Sequence, residues 1–353
     1  VEERIAVVRD AVEEFLEFGI TEVQDHGMLA DLEALLALDR TEGLPIRVGF
    51  SIRDHELARY LAERDRFEPL PDGIEVNGQK MFLDGAVGSR TAWLLEPYEG
   101  STDRGHRTHG PAEARRKVRR AASAGLPTFF HAIGDAAVRE ALDLAAAAPG
   151  LPHRVEHAQV VHPDDLGRFA AQGVTASMQP VHLLTDTPIL PSCLGPKRTD
   201  RCFPVRSLLR TGARVILGSD TPVETLDPMK GLFAAAARKT LGGRELPGDE
   251  TIPVETALHL YFAFPSLAPG CPADLSVWPE DPARATPEAP VARRPNFASV
   301  GPSPSEGMRG NRFPRENHRS AGPHPPAVPA AASGRGSPPH PPHPSAARAE
   351  RGH

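Results

Sequence analysis

Cysteine is scarce in this chain. There are three in 353 residues, Cys193, Cys202 and Cys271, an odd number with no CxxC spacing. That usage argues against a disulfide framework and a cysteine-built zinc site, and it fits a reducing cytoplasm. Long apolar runs are missing too: none reaches the ~18 residues that a membrane span requires. The opening stretch from Val1 to Asp10 is charged and has no apolar centre, so it does not read as a secretory signal. There is no Met at position 1, and the sequence alone leaves open whether Val1 is an alternative start or a cut end.

Aromatic residues are few as well, at 5%. From Ala283 to His353 they shrink to Phe297 and Phe313, with no Lys, 10 Arg and 4 Glu. The rest of the chain carries 30 basic and 42 acidic groups, so an overall charge of -6 hides an acidic body and a mildly basic tail. Basic charge without interleaved aromatics lacks the stacking pattern of single-strand nucleic-acid binders, and no nucleic-acid role is expected. What the tail does have is proline, in runs such as "HPPAVPAAASGRGSPPHPPHPSAARAERGH". With no apolar periodicity it cannot bury enough surface to offset its ordering entropy, and residues 282–353 are expected to be disordered. An out-of-frame translation would give the same abrupt change of composition.

Before the tail, helical and strand patterns alternate. Ile5, Val8, Val12, Phe15 and Leu16 have helical spacing, and Gly19 ends that run. Seven short apolar segments then read as strands: "ITEVQD", "IRVGFSI", "QKMFLD" after Gly78, "PTFFHA", "RVEHAQ", "VTASMQ" and "RVILGSD". Helical segments lie between several of them, at 31–39, 112–124, 136–147, 163–172 and 206–211. Such alternation predicts a parallel sheet with crossover helices, and seven strands favour a barrel over an open sheet. Polar residues gather where strands end, at Asp25, Asp84, His131, His157, Gln179 and Asp220. A (β/α) barrel builds its active site at those ends.

Taken singly, these residues have plain structural explanations. A His at a strand end usually satisfies a local hydrogen bond, and an Asp after Gly-Ser is often a turn or a cap. Lys80, within "GQKMFLD", can simply reach a carboxylate. As a set they are more informative. His131, His157 and Asp220 on strand ends of one barrel converge towards its axis, and imidazole and carboxylate are ligand types for zinc and similar divalent metals.

The blocks "KMFLDGAVGSRTAWLLEPY", "HAIGDAAVREALDLA", "HRVEHAQVVHPDDLGRFAAQGVTASMQPVHLLTD" and "RSLLRTGARVILGSDTPVETLDPMKGL" resemble consecutive segments of the amidohydrolase superfamily. The branch is amidohydrolase family 3, which includes N-substituted formamide deformylase-like enzymes, and the resemblance runs through residues 1 to 281. It implies a (β/α)8 TIM-barrel-type fold and hydrolysis of a carbon–nitrogen bond other than a peptide bond, by metal-activated water. By motif, His131 and His157 resemble the ligands of the fifth and sixth barrel strands. Asp220 resembles the eighth-strand Asp that binds metal and shuttles a proton. Lys80 matches the fourth-strand Lys that is carboxylated in two-metal members. His182 in "QPVH", Arg90 in "GSRTA" and Arg198 are candidate substrate contacts. The implied cofactor is a divalent metal, zinc foremost, as one ion or two. The implied partner is a small amide-type molecule, with no role for a membrane.

The sequence also departs from that family's pattern. The His-x-His pair of the first barrel strand is absent, for His26 and His55 lie outside such a motif and His106 and His109 have the wrong spacing. The expectation is therefore a barrel lacking its first strand over 1–262, a remnant of the small β-sandwich at 263–281 ("SLAPGCPADLSVW"), and the tail. A sheet missing one strand has open edges that invite self-association. An inactive fragment of the family is the alternative reading.

Overall fold

The computed structural model describes residues 2–262 together with Ser276, Trp278, Asp281 and Pro282. The expected sandwich remnant and tail otherwise lie outside the described residues.

Seven parallel strands form one curled sheet in strict chain order. They are β1 (Glu22–Asp25), β2 (Arg47–Arg53), β3 (Ile74–Phe82), β4 (Thr128–Ala132), β5 (Arg154–His157), β6 (Thr175–Met178) and β7 (Val215–Leu217). Helices run between and beyond them: α1 (Glu2–Glu17), α2 (Leu29–Glu42), α3 (Leu57–Ala62), α4 (Pro111–Ser123), α5 (Asp135–Ala146) and α6 (Pro163–Gln172). Short turns α7 (Leu183–Asp186), α8 (Leu190–Leu194) and α9 (Pro196–Thr199) follow β6, then α10 (Val205–Arg210), and α11 (Pro228–Ala237) and α12 (Val254–Tyr261) follow β7. This is the TIM-barrel type of architecture that the alternation predicts, present as a half-barrel. Among the described residues β1 and β7 each pair on one side only.

Local chemistry explains the boundaries. In α6, Pro163 takes a first-turn position where no amide donor is needed, His162 caps the Asp164 amide, and Gly173 ends the helix at φ 67°. In α4, Ala114, Val118 and Ala121 are buried at i, i+4 and i+7 while its arginines face water. The central strands are largely buried, as crossover helices require; β2 reads Val48, Gly49, Phe50, Ser51 and Ile52 without an exposed position, whereas β1 at the edge has no fully buried residue.

β3 is longer than expected and runs through Gly78 rather than starting after it. The reason lies in its partners. Register slips between Phe50 and Ser51, so Asn77 is the extra residue of a bulge. The Phe129 ring then closes over Gly78, where a Cβ would lie 2.8 Å from Cζ. Helices α3, α7 to α9, α11 and α12 are not among the segments expected from apolar spacing; α7 to α9 hold only four or five residues, too short for a helical period to repeat.

Two apolar clusters flank the sheet. The smaller packs α1, α2 and α3 on β2 and the start of β3 through residues such as Leu32, Phe50, Ile52 and Tyr60. The larger packs α4 to α8 and α10 to α12 on β3 to β7 through residues such as Met81, Phe130, Leu142, Val155 and Phe169. Each such side chain contributes about 1.5–3 kcal/mol by leaving water. The inner face is more polar. Arg154 lies over the Phe129 ring at 3.7 Å and donates to Gln24, which also accepts from Asn77. These groups form a floor beneath the carboxyl ends of the strands.

Candidate metal centre

His157 ends β5 at φ 74°, and Ala158 follows at φ 43°. Asp220, three residues beyond β7, has φ 61°. Left-handed backbone at non-glycine residues costs about 1–3 kcal/mol each and collects at functional sites. His182 ends the single turn Pro180–His182 that follows β6. One ligand atom from each of His157, His182 and Asp220 lies within 4.8 Å of the others. His182 Nε2 is 3.3 Å from Asp220 Oδ2, an ion-pair contact. That nitrogen is buried and has no hydrogen-bond partner among the described residues. Two imidazoles and a carboxylate with an orphaned buried nitrogen fit a divalent metal.

Burial sets the charges here. It pushes His157 well below the ordinary imidazole range, and the neighbouring His131, Lys80 and His182 push the same way. Burial acts downward on His182 too, but Asp220, Asp186 and Glu224 together outweigh it and raise its pKa. A neutral His157 has a lone pair to give, which is the form a metal ligand needs.

His131 stands beside this group, its ring 4.5 Å from that of His157 and stacked on Phe82 at 4.8 Å. Its Nε2 lies 3.3 Å from the Gly85 carbonyl and 3.6 Å from Asp84. Burial, with the Lys80 charge, lowers its pKa to about 4. Asp84 is anchored in turn by the backbone amides of Trp93, Ile133 and Gly134 at 2.8–3.0 Å. Its burial outweighs those donors and lifts its pKa to about 7. Lys80 is buried on β3, and burial brings its pKa down to about 8 against the opposing charges of Glu156 and Asp220.

The structure thus brings Lys80, His131, His157, His182 and Asp220 to one region, and it puts His182, expected as a substrate contact, in the ligand cluster. Arg90 and Arg198 have other contacts. Arg198 donates to the carbonyls of Leu194 and Glu96, and Arg90 donates to Ser192 and lies over Tyr98. Three neighbours went unremarked as site residues in the sequence. Glu156, next to His157, is buried with Oε1 lacking a hydrogen-bond partner among the described residues. His26 Nε2 lies 3.9 Å from that oxygen. Glu224 Oε1 lies 3.7 Å from His182 Nδ1. Adjacency to a candidate ligand was the one available signal, and it pointed to Glu156 alone.

A parallel strand–helix sheet with histidines and a carboxylate gathered at its carboxyl ends is the arrangement of a metal-dependent hydrolase barrel. The chain belongs to the amidohydrolase family, whose profile matches residues 1–298. It is 32% identical over 223 residues to amidohydrolase YtcJ of Bacillus subtilis (strain 168), covering 60% of this chain and 42% of that protein. It is 28% identical over 210 residues to N-substituted formamide deformylase of Arthrobacter pascens, covering 58% and 38%. Among solved structures, an uncharacterized metal-dependent hydrolase from Pyrococcus horikoshii OT3 superposes with a TM-score of 0.67 at 29% identity, covering 74% of this chain and 54% of that one. The chain therefore spans about half or less of the length of these relatives. No helix among the described residues is long and apolar enough to cross a membrane.

Proposed function

We propose that the chain carries the strand-end half of a metal-dependent hydrolase acting on carbon–nitrogen bonds other than peptide bonds, with an amide or formamide as substrate. The observation that carries this reading is the convergence of His157, His182 and Asp220, with ligand atoms within 4.8 Å and one buried nitrogen left over. The formamide option rests on the name of the Arthrobacter pascens relative. His157, His182 and Asp220 would hold the ion, with His131 and Lys80 beside them. Zinc is the first choice for a nitrogen and oxygen donor set of this kind. When bound, such an ion acidifies water to a pKa of about 7 and polarises a carbonyl. Asp220 accepts the proton of the attacking water and passes it to the leaving nitrogen as the carbon–nitrogen bond breaks, giving a carboxylic acid and an amine. A lysine lowered to about 8 is partly neutral near pH 7, the form that adds carbon dioxide, which supports a carboxylated Lys80. The buried free thiols of Cys193 and Cys202 support a reducing, cytoplasmic setting.

A second reading, a non-catalytic chain, is favoured by one observation. Among the described residues the sheet does not close, so the candidate centre has an open side. Elemental analysis of the purified chain beside His157→Ala and Lys80→Ala, with an assay of amine release from amides and formamides, separates the two. One or more equivalents of divalent metal, reduced in the variants, together with amine release supports the hydrolase. Bound metal without amine release supports the non-catalytic reading, and no metal with no release overturns the proposed centre.

A further inference from the structure

Side chains alternate along β2. Val48, Phe50 and Ile52 join the smaller apolar cluster on the outside, which leaves Gly49, Ser51 and Arg53 for the inner face. Gly49 lies at the floor, where a Cβ would meet the side chains of Asn77 and Gln24. Ser51 contacts His26, and Arg53 closes the strand at its carboxyl end. Its guanidinium carbon lies 4.8 Å from the centre of the Phe82 ring at the end of β3. Phe82 stacks on His131, whose ring adjoins that of His157. A wall of rings thus leads from the candidate centre to Arg53.

The Arg53 side chain is anchored but not neutralised. Its Nε donates to the His26 carbonyl at 2.9 Å. No other hydrogen bond and no ion pair engages the side chain among the described residues. Burial raises the pKa of Asp25 and the Arg53 charge opposes that rise, yet the two form no ion pair. Arg154, lower on the same face, differs in that it donates to Gln24. A half-buried guanidinium held by one carbonyl and one aromatic face keeps both Nη groups for an incoming carboxylate, which matches that fork through two parallel hydrogen bonds.

We propose that Arg53 is a binding subsite for a carboxylate on the substrate, so that the amides taken here carry a free acid group at the end remote from the centre. This substrate class rests on the proposed hydrolase, but the capture of a carboxylate by Arg53 does not.

The test titrates the metal-free chain, in which no ion can hold the acid group, with N-acetylglycine, N-acetyl-β-alanine and N-acetyl-γ-aminobutyrate. Each is paired with the neutral ligand whose acid is converted to an amide. Calorimetry on wild type, Arg53→Gln and Arg53→Lys reads the preference for acid over amide. Wild type should favour at least one acid by about tenfold, as a charge-assisted pair of hydrogen bonds implies. Arg53→Gln should bring that preference to about one, and Arg53→Lys, which keeps the charge without the fork, should fall between. If Arg53→Gln does not fold, the drop in Arg53→Lys decides. No preference in wild type, or the same preference in the variants, overturns the proposal. Amine release from the loaded chain is scored separately. A preference for acids that depends on Arg53, without amine release, overturns the hydrolase reading and leaves the subsite standing; amine release without that preference overturns the subsite alone.

Discussion

Single residues here are explained by what their ring nitrogens and carboxylates face. His153 shows this away from the candidate centre. It is buried, its Nδ1 accepts from the Thr128 amide at 3.0 Å, and its Nε2 donates to the Ala148 carbonyl at 2.8 Å. Burial holds its pKa below the ordinary value. Above the ordinary imidazole pKa of about 6.5 both folded and unfolded chains hold it neutral, and it adds no pH dependence. As pH falls through that value the unfolded chain takes up a proton that the folded chain refuses, so stability is lost. Wild type should therefore destabilise between pH 7 and 5 more steeply than His153→Gln, by up to about 1.4 kcal/mol per pH unit. Parallel slopes in urea titrations at several pH values would contradict this. At the proposed centre, His157→Ala and Asp220→Asn should each bring any amide hydrolysis that the chain shows to background and weaken any divalent-metal binding by more than about tenfold. Full activity in either variant would remove that residue from its role.

Elements explain how those residues reach one place. The segment after β3 is a case in point, because Asp84 gathers amides from Trp93 and from the Ile133–Gly134 turn after β4. Gly134 lies so close to Trp93 that a Cβ would meet its carbonyl oxygen at 2.0 Å. Gly134→Ala should cost stability at the upper end of roughly 1–3 kcal/mol, read as a lower urea midpoint at unchanged slope. A midpoint within error of wild type would mean that the turn yields freely. How much of this was legible follows from range. The seven strands and the helices 112–124, 136–147 and 163–172 show in the sequence because burial repeats along each one. His131, His157 and Asp220 show because strand ends are where a barrel keeps its chemistry. The cluster role of His182, the nearness of Glu224 and the anchoring of Asp84 depend on contacts across loops, and spacing along a chain carries no record of those. Gly78 misled for the same reason: it reads as punctuation, whereas the Phe129 ring that needs its bare α-carbon comes from another strand.

At the scale of the whole molecule the governing feature among the described residues is a sheet with two edges. Among the described residues β1 and β7 leave one side of their backbone groups without a strand, and such edges favour pairing with another chain. Sedimentation velocity should show the average mass rising with concentration through the micromolar range. A constant monomer mass would mean that the edges are covered. The strand order has a separate consequence for how the molecule comes into being. Every strand pairs with the one made just before it, so no strand has to wait for a distant partner. A chain emerging from the ribosome at about 5–20 residues per second can add one strand–helix unit at a time to a growing template. Assembly of this sheet is suited to the direction of synthesis, and the meeting of His182 with Asp220 must wait for residue 220 to emerge.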